Sequence, residues 1–113
     1  MKTHILKIRE ADKVVFEAIQ SGEKNIETRA ATDRYRAVQN GDILVFVCGN
    51  KRFEKEVKEV ETFKKVEDLN KRVNFKDVVP FARSAEEMKQ VLFSFPGNEE
   101  KIRKCGLIAF WLR

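Results

Sequence analysis

The apolar run Leu107–Leu112 is the feature that most constrains this chain, because nothing near it in sequence can pair with it. It follows Gly106, and it has strand length and strand composition. The segments immediately before it, from Val66 to Cys105, read as helices and turns. An isolated strand leaves its backbone polar groups unpaired, so this run must return to strands in the first half of the chain. There the run Ile43–Cys48 is almost continuously apolar, as expected of a central strand buried on both faces. With 113 residues the chain suits one domain, residues 1–113, and the returning strand closes a single small sheet.

The other elements follow from local signals. Ile5, Leu6 and Ile8 mark a first strand. Asp12 is a candidate N-cap for a helix carrying Val15, Ala18 and Ile19, and Gly22 ends that helix. Residues 25–30 form a second strand, and 33–40 read as either a loop or a short strand anchored by Tyr35 and Val38. Asn40-Gly41-Asp42 is a turn, and Gly49-Asn50-Lys51 is a hairpin signal. In the strand after the hairpin, Phe53 and Val57 share one phase while Val60 and Phe63 are out of it, which predicts a bulge near Lys58-Glu59. Val66, Leu69 and Val73 indicate a short helix, and a further helical turn breaks at Pro80. Ser84-Ala85-Glu86-Glu87 has the form of a capping box. Met88, Val91, Leu92 and Phe95 then repeat at helical spacing and should be buried together. This order predicts an α+β fold, a small curled sheet or barrel with helices at its side.

Charge narrows the partners. The net charge is +5, which favours an anionic partner such as nucleic acid. The stretch from Lys101 to Arg113 is basic without an acidic residue, and residues 24–52 are also net positive. Abundant Lys and Glu lean toward a thermophilic source. Cys48 and Cys105 both lie in or beside apolar strand patterns and read as free buried thiols. With a single histidine, His4, no metal site and no cofactor is expected. The N-terminus lacks the apolar stretch of a signal peptide and no run is long enough to span a membrane, so a soluble, cytoplasmic protein is expected.

One polar constellation stands out. In Gly22-Glu23-Lys24-Asn25-Ile26-Glu27-Thr28-Arg29 a helix gives way to a strand with alternating charges. Successive strand residues face opposite ways, so Asn25, Glu27 and Arg29 share one face, while Ile26 and Thr28 share the other. Lys24, in the preceding turn, can swing toward the charged face. The carboxylate and two cations read either as a structural ion-pair network or as a net-positive cleft. In the cleft reading Lys24 and Arg29 hold phosphate and Glu27 accepts from a base or a ribose hydroxyl. Arg34, Arg36, Lys51 and Arg52 extend the positive surface, and Tyr35 between two arginines offers a stacking ring. Asp42 is read as a turn residue. Trp111 should face away from Ile108, Phe110 and Leu112.

Gly22-x-Lys24-x-x-Glu27-x-Arg29, followed by Gly41-Asp42 before an apolar strand, resembles the ASCH domain family. Val57, Val60, Phe63, Val66, Leu69 and the closing Gly106-Leu107-Ile108-Ala109 also fit, so the resemblance spans nearly the whole chain. It implies a PUA-like small β-barrel of about five to six strands with flanking helices, and an RNA-binding cleft beside the barrel. On that basis Lys24, Glu27, Arg29, Arg34, Tyr35, Arg36, Lys51 and Arg52 are the expected RNA- or nucleotide-binding residues. A branch of the superfamily hydrolyses N4-acetylcytidine, with a Lys followed three residues later by a nucleophilic Thr and assisted by a later Glu. The Lys matches Lys24, but Glu27 stands at the Thr position. Thr28 is adjacent on the opposite strand face, and the later Glu aligns only loosely with Glu86 or Glu87. The alternative expectation is therefore a small hydrolase of this type, or a ribonuclease, with Lys24 and Glu27 as its catalytic groups.

Overall fold

A computed structural model describes residues 1–113. The chain runs β1 (Thr3–Lys7), a short 3-10 turn (Glu10–Asp12), α1 (Lys13–Ser21), β2 (Ile26–Ala30), α2 (Asp33–Arg36), β3 (Ile43–Cys48), β4 (Lys51–Phe63), α3 (Val66–Asn70), α4 (Phe75–Val78), α5 (Ala85–Ser94), α6 (Asn98–Cys105) and β5 (Leu107–Leu112). The five strands form one mixed sheet in the order β1-β3-β4-β5-β2. β1 lies parallel to β3, and all other neighbours are antiparallel. As its lack of a local partner requires, β5 pairs with both β4 and β2.

The long strand β4 belongs to both halves of the sheet. Its first part pairs with β3, and its second part with β5 after a register shift between Val57 and Glu59. The extra residue there bends the strand and increases its twist. Each face of the curled sheet carries a core. Leu6, Leu44, Phe46, Val57, Ile108 and Phe110 pack under Phe16 and Ile19 of α1. On the other face Ile26, Ala30, Leu107 and Ala109 pack under Leu69, Val78, Met88, Leu92 and Ile102 from the helices. β5 thus divides by strict alternation, with Trp111 on the helical side as its phase requires.

The sheet is not closed into a barrel. Its edge strands, β1 and β2, are not hydrogen-bonded to one another. Arginine side chains from β2 and α2 stand in the seam instead. Arg29 Nη2 lies 3.5 Å from the Lys7 carbonyl oxygen, and Arg34 Nη2 donates to the Ile5 carbonyl. Residues 33–36, which the sequence leaves between loop and strand, form a single helical turn.

Several predicted end signals operate as read. Gly22 closes α1 at φ +87°, and the Ser84 hydroxyl accepts from the Glu87 amide. Asp12 differs: its carboxylate is turned to Arg9 rather than to an amide of α1. Of the four apolar residues predicted to be buried together, Met88 and Leu92 are, and Phe95 falls just beyond the end of α5. Val91 and Phe95 are half-buried, and both line the cleft described next. No helix is long and apolar enough to cross a membrane.

Candidate functional site

The unpaired edge of β2 creates the site. The bonds Leu112 N to Asn25 O and Ala31 N to Gly106 O bracket the ladder to β5. Antiparallel pairing alternates, so the backbones of Glu27 and Arg29 face β5 while those of Ile26 and Thr28 face outward. Two neighbouring side chains bond to these outward groups. Lys24 Nζ donates to the Ile26 carbonyl at 2.7 Å, and the Thr28 amide donates to Glu27 Oε1 at 2.9 Å. The exposed ladder edge is thereby capped by charged side chains of its own segment.

Lys24 and Glu27 are almost fully buried, at 4% and 5% exposure. Lys24 Nζ also donates to the Val78 carbonyl at 2.5 Å and lies 3.4 Å from Glu27 Oε1. All three ammonium protons therefore have acceptors. Glu27 Oε2 accepts from Arg29 Nη2 at 3.2 Å. Arg29 Nη1 donates to the Tyr35 hydroxyl at 3.2 Å, and the guanidinium groups of Arg29 and Arg34 lie 5.6 and 5.0 Å from the centroid of the Tyr35 ring.

Burial and charge act against each other here. Burial pushes the Lys24 ammonium below its ordinary value, with Arg29 adding to the effect and Glu27 opposing it. Burial works against ionisation of Glu27 too. The charges of Lys24 and Arg29, together with the Thr28 amide, outweigh it and hold the carboxyl below its usual range. Burial likewise disfavours the Arg29 cation, but Glu27 and Tyr35 raise its pKa overall. Two cations on one carboxylate leave the cluster net positive.

The cluster forms one end of a cleft of about 290 Å³. Lys7, Arg9 and α1 make one wall. Val78, Val79, Pro80 and Phe81, with Val91 and Leu92 of α5 and Phe95 just after it, make an apolar wall opposite. Phe81 is 51% exposed, an unusual position for a large aromatic side chain. The cleft is thus polar and cationic at the β2 edge and apolar across from it, a combination suited to a flat ring carrying polar substituents.

Two solved structures resemble the whole chain. The crystal structure of hypothetical protein PH0355 matches with a TM-score of 0.82 and 26% identity, over 100% of this chain and 98% of its own. The solution NMR structure of protein PF0455 from Pyrococcus furiosus matches with a TM-score of 0.73 and 26% identity, over 100% of this chain and 96% of its own. The chain matches no family model and no curated protein. The fold therefore recurs at full length.

Of the residues singled out in the sequence, Lys24, Glu27 and Arg29 line the cleft together. Tyr35 and Arg34 adjoin it through Arg29 without lining it. Arg36 turns away to the carbonyls of Ala31 and Cys105. Lys51 and Arg52 are exposed beside the β3–β4 hairpin and do not line the cleft.

Thr28 faces away from Glu27 along the strand, yet it also lines the cleft, because the cleft runs along the strand edge and meets both faces. Phe81 escapes the sequence reading, and Phe95, expected in the core with Met88 and Leu92, instead lines the cleft. The local signal for Phe81 is an aromatic residue directly after Pro80, at the end of the short apolar stretch Val78-Val79-Pro80. Asp42 is a buried turn residue, accepting from the amides of Lys2 and Gln39, each at 3.0 Å, and paired with His4 Nε2 at 2.9 Å. No three His, Cys, Asp or Glu side chains converge as a metal site would require.

Proposed function

We propose that this chain is an ASCH-type, PUA-like module that binds single-stranded or modified RNA, or a nucleotide from it, in the cleft beside β2, and that it acts in the cytoplasm. One observation carries this reading: a net-positive cluster of Lys24, Glu27 and Arg29 faces an apolar wall that ends in the exposed Phe81. A nucleotide presents both complements, a flat base for the wall and polar or anionic groups for the cluster. Because Lys24 is held by three acceptors, it contributes charge, and Arg29 is the group that reaches the ligand. The overall charge of +5 supports an anionic partner. The Lys- and Glu-rich composition fits a thermophilic source.

The test is NMR titration with nucleoside monophosphates and short single-stranded RNA at low salt. Amide shifts should concentrate at Thr28, Arg29 and Phe81. Arg29→Ala should weaken binding about tenfold or more, as expected for losing a charged hydrogen bond, and by more than it lowers stability. Shifts scattered over the surface, or none at millimolar ligand, would reject this function.

A hydrolase of the N4-acetylcytidine type is the second reading. The presence of Thr28 among the residues that line the cleft with Lys24 and Glu27 favours it. Its test is turnover of N4-acetylcytidine, with loss of turnover but not of binding in Thr28→Val. No turnover by the native chain excludes it.

A further inference from the structure

A second positive feature lies at the opposite end of β2 from Lys24. An open recess is bounded by the end of β4, the end of α6 and α2, and Arg36, Lys64, Arg103 and Lys104 surround it. No carboxylate lines it. Arg103 is paired with Glu99 at 2.7 Å, and Arg36 is held by main-chain carbonyls, 2.8 Å from Ala31 O and 3.0 Å from Cys105 O. Neither carbonyl cancels the Arg36 charge. Lys64 and Lys104 are exposed and form no ion pair. The recess therefore keeps an uncompensated positive charge. Cations at a helix C-terminus stabilise the helix dipole, which accounts for Arg103 and Lys104 on α6. It does not account for Arg36 and Lys64, which come from other parts of the chain.

Geometry links the recess to the cleft. The cleft includes Glu27, and the recess begins where Arg36 grips Ala31. Four strand residues span about 13 Å. Arg29 lines the cleft, and Tyr35 and Arg34 adjoin it on the chain that leads from β2 to Arg36. A free mononucleotide would occupy the cleft alone, whereas a polynucleotide leaving it along β2 reaches the recess within a few nucleotides.

We propose that this recess is a second anion site, which binds a backbone phosphate of the single-stranded polynucleotide held in the cleft. The identity of the anion rests on the nucleotide reading of the cleft; the positive recess does not. The proposal makes the natural ligand a strand rather than a single nucleotide.

The experiment compares the native chain with the double variant Lys64→Gln plus Lys104→Gln, whose sites are exposed and whose folding is checked by urea melting. Two ligands are used, a nucleoside monophosphate and a single-stranded RNA of roughly ten nucleotides. The double variant should bind the RNA roughly fivefold or more weakly at low salt, with a salt slope reduced by about one to one and a half. Its binding of the monophosphate should be unchanged. Cys105 borders the recess and is partly exposed while Cys48 is buried, so its alkylation by iodoacetate supplies a local readout. The RNA should slow that reaction, and the monophosphate should not.

Unchanged RNA affinity and salt slope in the double variant, with Cys105 unprotected, overturn the proposal. If the monophosphate still binds in the cleft, the cleft reading survives that outcome. Conversely, if the monophosphate fails to bind and Arg29→Ala is silent, but the lysine pair still weakens RNA binding, the cleft reading fails and the recess stands. Protection of Cys105 by inorganic phosphate as strong as that by RNA at equal phosphate concentration reassigns the site to free phosphate and overturns the strand proposal.

Discussion

Lys24 donates to the carbonyl oxygen of Val78, 54 residues away, at 2.5 Å. This one bond ties the unpaired edge of β2 to the end of α4 and thereby holds the apolar wall of the cleft against its charged end. Lys24→Met keeps much of the side-chain length and removes the charge. It leaves the Val78 and Ile26 carbonyls without their donor and Glu27 buried beside one cation instead of two. Breaking a buried pair in this way costs about 3–5 kcal/mol. Urea unfolding should show that loss. A change below about 1 kcal/mol would mean the ammonium is not an anchor.

Phe81 separates binding from stability. It is largely exposed, so Phe81→Ala should change folding free energy by less than about 0.5 kcal/mol. Ligand binding should fall by about 1–3 kcal/mol if the ring stacks on a base. Calorimetric titration together with thermal melting reads both quantities. A variant with unchanged affinity would remove the aromatic wall from the binding site.

Acid should unfold the protein through two carboxylates. Hydrogen bonds from the Lys2 and Gln39 amides and from His4 hold the Asp42 carboxyl far below its usual range. Glu27 is also held low: burial opposes its ionisation, and the neighbouring cations outweigh that opposition. A carboxyl whose folded pKa lies below its unfolded value of about 4 stabilises the fold fully above that value. The contribution disappears as pH falls from there toward the folded pKa. Stability set by these groups should therefore be flat from about pH 6 down to about pH 5 and decline below about pH 4. Asp42→Asn should flatten part of that decline, as measured by urea midpoints across the acid range. An acid slope identical to the native one would contradict the Asp42 assignment.

Gly106 joins α6 to β5 at φ +78° and ψ −169°, a region essentially reserved for glycine. A Cβ at this position would lie 2.5 Å from the Phe63 carbonyl oxygen. Gly106→Ala should destabilise the fold by at least about 1–3 kcal/mol from backbone strain alone. It should also disturb Leu107, the first residue of β5, which pairs with Phe63. A thermal melt matching the native protein would show that the chain can relieve the contact elsewhere.

Local chemistry determined much of this protein from sequence alone. Alternation assigned Ile108 and Phe110 to one core and Leu107, Ala109 and Trp111 to the other. The phase change in β4 located its bulge, and Gly22 and Ser84 marked their helix ends. The proximity of Lys24, Glu27 and Arg29 was legible too, because a turn followed by same-face strand positions brings three near neighbours together.

Tertiary structure decided whether the sheet closes, what faces the charged cluster and how far its groups are free. The seam between β1 and β2 holds Arg29 and Arg34 instead of a ladder, and no local pattern encodes an absent pairing between distant strands. The wall from Val78 to Phe95 comes from another part of the chain and leaves no periodic trace opposite β2. It also supplies the carbonyl that completes the bonding of Lys24, and it bounds the cleft in which Thr28 lies despite pointing away from Glu27. Periodicity and capping act over a few residues and are written locally, whereas the environment of a side chain depends on which distant segments pack beside it.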